Sequence, residues 1–165
     1  MKNTVECLME AFAGESQANR KYLAFAEKAD KEGFPQVARM FRAAAAAETV
    51  HAHTHLRAMD GVGSTIENLK SAIEGETHEF KNMYPEMIGI AEKEGHAKGL
   101  RSFKYANEVE KTHADLYQGL LDTMNSKQKE YPYFVCPVCG HTAGEAAPDV
   151  CPVCGARGSS FKRID

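Results

Sequence analysis

Glu110-Lys111-Thr112-His113-Ala114 and its near copy Glu48-Thr49-Val50-His51-Ala52 are the stretches whose reading decides the fold. Each sets a Glu and a His three residues apart inside a long helical pattern. Residues i and i+3 of an α-helix share a face one turn apart. Each pair therefore presents a carboxylate and an imidazole together, a two-point claw for a transition metal. Each claw also has a lone Glu upstream: Glu15 lies 33 residues before Glu48, and Glu76 lies 34 before Glu110. Gly14-Glu15-Ser16 recurs as Gly75-Glu76-Thr77, with Tyr22 and Tyr84 following at similar distances. The chain reads as a duplicated helical hairpin, each half carrying one lone Glu and one Glu-x-x-His.

Outward from the claws, four amphipathic segments fill residues 3 to about 127. The first opens at Asn3, with Glu6 placed for a capping box, and ends near Gly33. The second has Pro35 in its first turn, where a missing N–H costs nothing, and stops at Gly61. The third opens with Ser64 and Glu67 as a second capping box and runs to about Glu94, with Gly95 as its stop. Pro85 lies inside it and predicts a kink just before that residue. The fourth runs from about His96 to Met124. Long amphipathic segments with short joins predict an all-α four-helix bundle. The Ala43 to Ala47 run supplies helix propensity and lets a neighbouring helix approach closely.

Glu15, Glu48, Glu76 and Glu110 each fall about 12 to 14 residues into their helices, which an up-and-down bundle brings to one level. Any one of them alone would be read as a solvated helix face. Four carboxylates and two imidazoles at one level repel each other and lose hydration unless cations sit among them. Lone Glu residues combined with Glu-x-x-His pairs are the pattern of di-iron and di-manganese carboxylate bundles. Glu79 breaks the symmetry: it follows Glu76 by one turn, where the first half has Ala18. It is expected to act as a fifth carboxylate, reaching one metal from the side opposite His51. His53 and His55 read as solvated or core-edge residues, and Cys7 as a small buried hydrophobe.

From about Lys127 the helical period ends, and the predicted domains are 1–130 and 131–165. The second is too short for an independent apolar core and needs a staple. Cys136-Pro137-Val138-Cys139-Gly140 and Cys151-Pro152-Val153-Cys154-Gly155 supply one. Four thiolates on two such knuckles define a tetrahedral site for a single iron or for zinc, and spacing alone leaves the two metals open. With 26% charged residues and a net charge of −3, the dispersed Lys and Arg point to no nucleic-acid partner and no membrane surface. The N-terminal residues lack the apolar core of a signal peptide, so the expected compartment is the cytoplasm.

Gly14-Glu15-Ser16, Glu48-x-x-His51, Gly75-Glu76-Thr77-x-Glu79 and Glu110-x-x-His113, followed by the double Cys-x-x-Cys tail, resemble the rubrerythrin family across essentially the whole chain. The resemblance implies a ferritin-like di-iron bundle with a C-terminal rubredoxin-like Fe(Cys)4 module. It makes Glu15, Glu48, Glu76, Glu110 and His113 standing iron ligands. His51 and Glu79 become alternatives for one iron that moves between them with oxidation state. Tyr22 and Tyr84 match positions that hydrogen-bond ligand carboxylates, and Cys136, Cys139, Cys151 and Cys154 hold the third iron. The implied activity is reduction of hydrogen peroxide in oxidative-stress defence. Electrons would come from rubredoxin or from NAD(P)H through a separate reductase. A head-to-tail homodimer is also implied, in which the tail serves the partner's bundle and does not fold back on its own. The rival functions are ferroxidase or iron storage, and a zinc-binding structural adaptor.

Overall fold

The computed structural model describes residues 2–165; Met1, the first residue of the N-terminal stretch that lacks a signal-peptide core, lies outside the described residues. Two compact units divide the chain, Met1–Gly63 and Ser64–Asp165.

The first unit is a helical hairpin of α1 (Thr4–Lys31) and α2 (Pro35–Ala58). The Asn3 side chain accepts from the Glu6 N–H at 3.0 Å, and the Glu6 carboxylate accepts from the Asn3 N–H at 2.8 Å. Both expected halves of the capping box are therefore made, satisfying two N–H groups that helix geometry leaves open. Gly33, at φ 81°, takes the left-handed conformation that lets the chain reverse within three residues. Ala38, Ala45 and Ala52 recur every seven residues along α2 and are buried, forming a seam of methyl groups in which Ala38 packs with Ala26 and Ala29 of α1. With methyl groups at the seam the two backbones come close enough for Asn19 to cross. Its amide donates to the Ala45 carbonyl at 2.6 Å and to the Thr49 hydroxyl at 2.8 Å. Toward the loop end, Tyr22, Phe25 and Phe41 pack ring against ring.

The second unit begins with α3 (Thr65–His78), for which Ser64 and Glu67 make the other expected capping box. The sequence predicts one helix to Glu94 with a kink before Pro85. The structure instead has α3, a π-helical stretch over Glu79–Met83, and α4 (Tyr84–Glu94). Pro85 has no N–H to give, and its ring would clash with the carbonyl one turn back. The chain accommodates it by widening the preceding turn, so that the Tyr84 N–H reaches the Glu79 carbonyl five residues back. A widened turn holds one extra residue. The repeat contains that residue: Tyr22 follows Glu15 by 7, whereas Tyr84 follows Glu76 by 8.

Gly95, at φ 66°, closes α4, and α5 (Ala97–Asp122) returns alongside α3 and α4. Beyond it the Gln128 amide donates back to the Leu120 carbonyl at 3.1 Å, turning the chain at the end of α5. The rest is a small antiparallel sheet of β1 (Tyr133–Val135), β2 (Thr142–Gly144) and β3 (Lys162–Ile164) in the order β2-β1-β3. In register, Tyr133 faces Gly144 on one side and Ile164 on the other. The helices expected of a ferritin-like fold are thus present as two hairpins, the second continuing into the cysteine module. No helix among the described residues is long and apolar enough to cross a membrane.

Candidate metal centres

Three groups of metal-binding side chains assemble among the described residues: Glu15 with Glu48 and His51, Glu76 with Glu110 and His113, and the four C-terminal cysteines. Within each group the donor atoms lie within 4.8 Å of one another.

In the first hairpin, α2 presents Glu48 and His51 one turn apart and α1 brings Glu15 across. His51 Nδ1 is 2.8 Å from Glu48 Oε2 and 3.9 Å from Glu15 Oε1. In the second unit, α5 presents Glu110 and His113 and α3 brings Glu76. His113 Nδ1 is 2.8 Å from Glu110 Oε2 and 3.8 Å from Glu76 Oε1. The near identity of these distances is the sequence repeat expressed in space. In both groups Nδ1 is the ring atom turned to the carboxylates.

The second group carries the electrostatic signature of a site built for cations. Burial first, and the Glu110 charge second, push the Glu76 carboxyl up to about 7 from an ordinary 4.5. The hydrogen bond to Glu110 raises His113, with burial opposing it. Glu79 is also raised, by burial and then by the Glu110 charge, while His78 and His113 pull it down. Glu79 is thus close enough to feel Glu110 and His113, although it falls outside the three-residue group. A divalent or trivalent cation would relieve all of these shifts together, and one imidazole with two carboxylates suits iron. The donor sets therefore fit a carboxylate-rich di-iron centre.

The predicted tyrosines occupy related places. Tyr84 packs on Phe103 with ring centroids 6.3 Å apart, and burial followed by the charges of Glu79, Glu110 and Glu76 holds its phenol protonated. Tyr22 sits in the aromatic cluster with Phe25 and Phe41. Cys7 differs from expectation: it is exposed, near the start of α1 beside the exposed Val5 and Met9. His53 is exposed and His55 partly so, as expected.

The cysteine site is built from two matching knuckles. Cys136 N–H donates to the His141 carbonyl and Gly140 N–H returns to the Cys136 carbonyl; Cys151, Ala156 and Gly155 repeat the arrangement. Gly140 and Gly155, at φ 86° and 76°, make the turns a side chain would strain. Cys136 Sγ is 3.6 Å from Cys154 Sγ, and Cys139 Sγ is 3.5 Å from Cys151 Sγ. The edges of a tetrahedral four-thiolate site with metal–sulfur bonds of about 2.3 Å are roughly 3.8 Å, so the knuckles are nearly in place. Backbone N–H groups point at the sulfurs. Burial pushes the Cys151 thiol up, and the N–H groups of Cys154 and Val153 outweigh it, leaving that thiol at about 7. His141 fills an aromatic place, its ring edge-on to Phe161 at 6.5 Å.

Contrary to the expected detached tail, the cysteine module lies against α5 of its own chain. Val109, buried on α5, backs onto Gly140, and His113 Nε2 meets Thr142 Oγ1 at 2.9 Å. The turn held by Gln128 returns the chain to α5. Sequence reasoning passed over Thr142. Its one local signal is its place three residues after Cys139.

Known proteins agree with this geometry. Residues 6–121 match the rubrerythrin family, and residues 134–162 match the rubrerythrin rubredoxin-like domain. The chain is 36% identical to Rubrerythrin-2 of Clostridium acetobutylicum over 155 residues, 84% of each protein. It is 33% identical to nigerythrin of Nitratidesulfovibrio vulgaris over 153 residues, 84% of this chain and 75% of that one. A solved structure described as "Fully reduced state of nigerythrin (all ferrous)" matches at a TM-score of 0.61 with 30% identity, covering 99% of this chain and 88% of the other. The fold is ferritin-like, and the four-cysteine module is rubredoxin-like, an iron site by that likeness.

Proposed function

The chain belongs to the rubrerythrin family, and from that premise we propose that it is a non-haem di-iron peroxidase that reduces hydrogen peroxide to water in oxidative-stress defence. The observation that carries this reading is the presence, in one chain, of two Glu–Glu–His donor groups and a four-thiol site. Residues 1–130 would form the di-iron domain and 131–165 the electron-supplying one.

Glu15, Glu48 and His51 would hold one iron, and Glu76, Glu110 and His113 the other. Glu79 and His51 would alternate on the first of these, since anionic Glu79 suits the ferric ion and neutral His51 tolerates the ferrous one. Bound as a ferrous pair, the irons would supply two electrons together, so that hydrogen peroxide with two protons leaves as two waters and no hydroxyl radical. Tyr84, held protonated, keeps a hydroxyl proton to donate to a neighbouring carboxylate, and Tyr22 is its counterpart in the first hairpin. Cys136, Cys139, Cys151 and Cys154 would make a one-electron iron site, their thiolates steadied by backbone N–H groups. A built-in electron source of this kind argues against iron storage, which requires oxidation.

Rubredoxin, or NAD(P)H through a separate reductase, would be the external donor; the chain has no dinucleotide-binding glycine fingerprint of its own. The working form would be a homodimer in the cytoplasm. The test is an anaerobically reduced, metal-analysed sample mixed with hydrogen peroxide. Three irons per chain and rapid peroxide loss, with re-oxidation of the visible iron–sulfur chromophore, are expected. A colourless zinc protein, or peroxide left unconsumed, overturns the reading.

A further inference from the structure

We propose that the Glu76–Glu110–His113 group has an apolar substrate pocket of its own, which admits organic hydroperoxides bearing an alkyl or aryl group as well as hydrogen peroxide. The proposal rests on the peroxidase reading of that group and names a further substrate class for it.

A partly enclosed cavity of about 300 Å³ lies beside Glu76 and His113. One wall is α5, where Leu116, Tyr117 and Leu120 follow His113 by three, four and seven residues, the spacing of a single helix face. That wall therefore runs about 10 Å away from the metal-binding end. Tyr133 of β1 and Thr142 of β2 complete the lining. The polar groups gather at one end: His113 Nδ1 is 3.8 Å from Glu76, and His113 Nε2 is 2.9 Å from Thr142 Oγ1. Burial first, and the hydrogen bond to Tyr131 second, push the Tyr133 phenol up to about 12, so it adds no charge to the lining. A mostly apolar cavity with a few polar groups converging at one place is the usual composition of a small-molecule site.

The first hairpin shows that this wall is not a requirement of the metal group. The positions three, four and seven residues after His51 are Thr54, His55 and Ala58. The same Glu-x-x-His claw is built there with the same 2.8 Å contact and without the two leucines. Nor do the leucines serve only as core, since both remain half-buried beside the cavity.

Hydrogen peroxide is polar throughout and roughly the size of two waters, so it gains nothing from such a wall. A hydroperoxide R–O–O–H does gain: its R group lies along Leu116 and Leu120, with its oxygens at the Glu76 and His113 end. An apolar cavity of about 150 Å³ accepts benzene, so this one has room for a phenyl group and the peroxide together. The reaction is that of hydrogen peroxide with one hydrogen replaced by R. The O–O bond breaks, and two electrons from the two ferrous ions with two protons convert R–O–O–H to R–O–H and water. The irons, left ferric, are reduced again through the Fe(Cys)4 site and its external donor.

The test uses cumene hydroperoxide and its alcohol product, cumyl alcohol. In the metal-free full chain, 13C-labelled leucine methyl shifts report cumyl alcohol binding without any turnover. In the iron-loaded protein, kcat/KM for cumene hydroperoxide is divided by that for hydrogen peroxide, so that a general loss of activity cancels. Leu120→Phe fills the far end of the cavity, and Leu116→Gln makes its wall polar at similar size. Iron content and the Fe(Cys)4 colour verify that each variant is folded. Cumyl alcohol should shift the methyls of Leu116 and Leu120, and wild type should form one cumyl alcohol for every two electrons supplied. Each variant should lower the ratio about 10- to 200-fold. Unmoved methyls, or a ratio unchanged in either folded variant, would overturn the proposal. Consumption of hydrogen peroxide with cumene hydroperoxide untouched would end this proposal alone, whereas failure to consume either would end the peroxidase reading with it.

Discussion

Glu76→Gln should stabilise the metal-free protein above neutral pH, although it removes a candidate ligand. Glu76 is pushed up to about 7 by burial and by the adjacent Glu110 carboxylate, from an ordinary 4.5. The folded chain therefore binds a proton between those values that the unfolded chain has released. Its stability falls as pH rises through that window and stays low above it. At about 1.4 kcal/mol for each tenfold change, the full difference sets a ceiling of about 3 kcal/mol. The side chain is 21% exposed and His113 lies 3.8 Å away, so solvent and the imidazole reduce this to about 1–2 kcal/mol. Gln is isosteric and cannot ionise. The metal-free variant should therefore melt about 2–8 °C above wild type at pH 8. That gap should shrink to about a quarter of its size at pH 5, where most of the penalty has not yet developed. Adding Fe(II) anaerobically should reverse the order, because wild type regains a ligand that Gln replaces poorly. The assay is thermal melting followed by circular dichroism on chelator-stripped full-length protein across that pH range. Parallel pH profiles for wild type and Glu76→Gln would refute the reasoning, since they would mean that neither burial nor the Glu110 charge raises Glu76 in the fold.

Gly158→Ala should disrupt the cysteine module, because a Cβ at that position would lie 2.0 Å from the Pro148 carbonyl oxygen, a backbone atom with little room to yield. Loss of the four-cysteine chromophore, with helical content retained, is the expected result; a variant that keeps its colour and iron would contradict the geometry. Deleting Asn82, exposed within the π-helical stretch, should let α3 and α4 join as one α-helix and keep Tyr84 on Phe103. Backbone chemical shifts should show α-helix closing over 65–93 in the new numbering, at a cost of about 3 kcal/mol, because Pro85 loses the widened turn that accommodates it. Unchanged stability would show that the widened turn does not serve Pro85.

The features legible in the sequence are those whose geometry is local. Capping boxes at Asn3 and Ser64, the i to i+3 claws and the two knuckles each depend on a few neighbouring residues. Helix or turn geometry alone then settles where their atoms lie. Thr142 was illegible for the opposite reason. Its partner is 29 residues away on α5, and the contact depends on how the chain turns at Gln128, which no local pattern specifies. Glu79 lies between these cases. Counting three residues from Glu76 places it on the same face only if the turn is α-helical, and Glu79 opens the π-helical stretch. The sequence contained the warning in a form that spacing comparisons could expose. The second half of the repeat is one residue longer than the first, both from Glu to Tyr and from lone Glu to claw. In a continuous α-helix one extra residue rotates everything beyond it by about 100°. Tyr84 would then leave the face that its counterpart Tyr22 keeps. The π turn absorbs the extra residue just before Pro85, where the helix must give up a hydrogen bond in any case. The duplicated halves therefore stay in register at their tyrosines, and the place where they fall out of register is the turn that carries the unmatched carboxylate. The departure from helical regularity and the departure from repeat symmetry are the same feature of the chain, seen once in its backbone and once in its spacing.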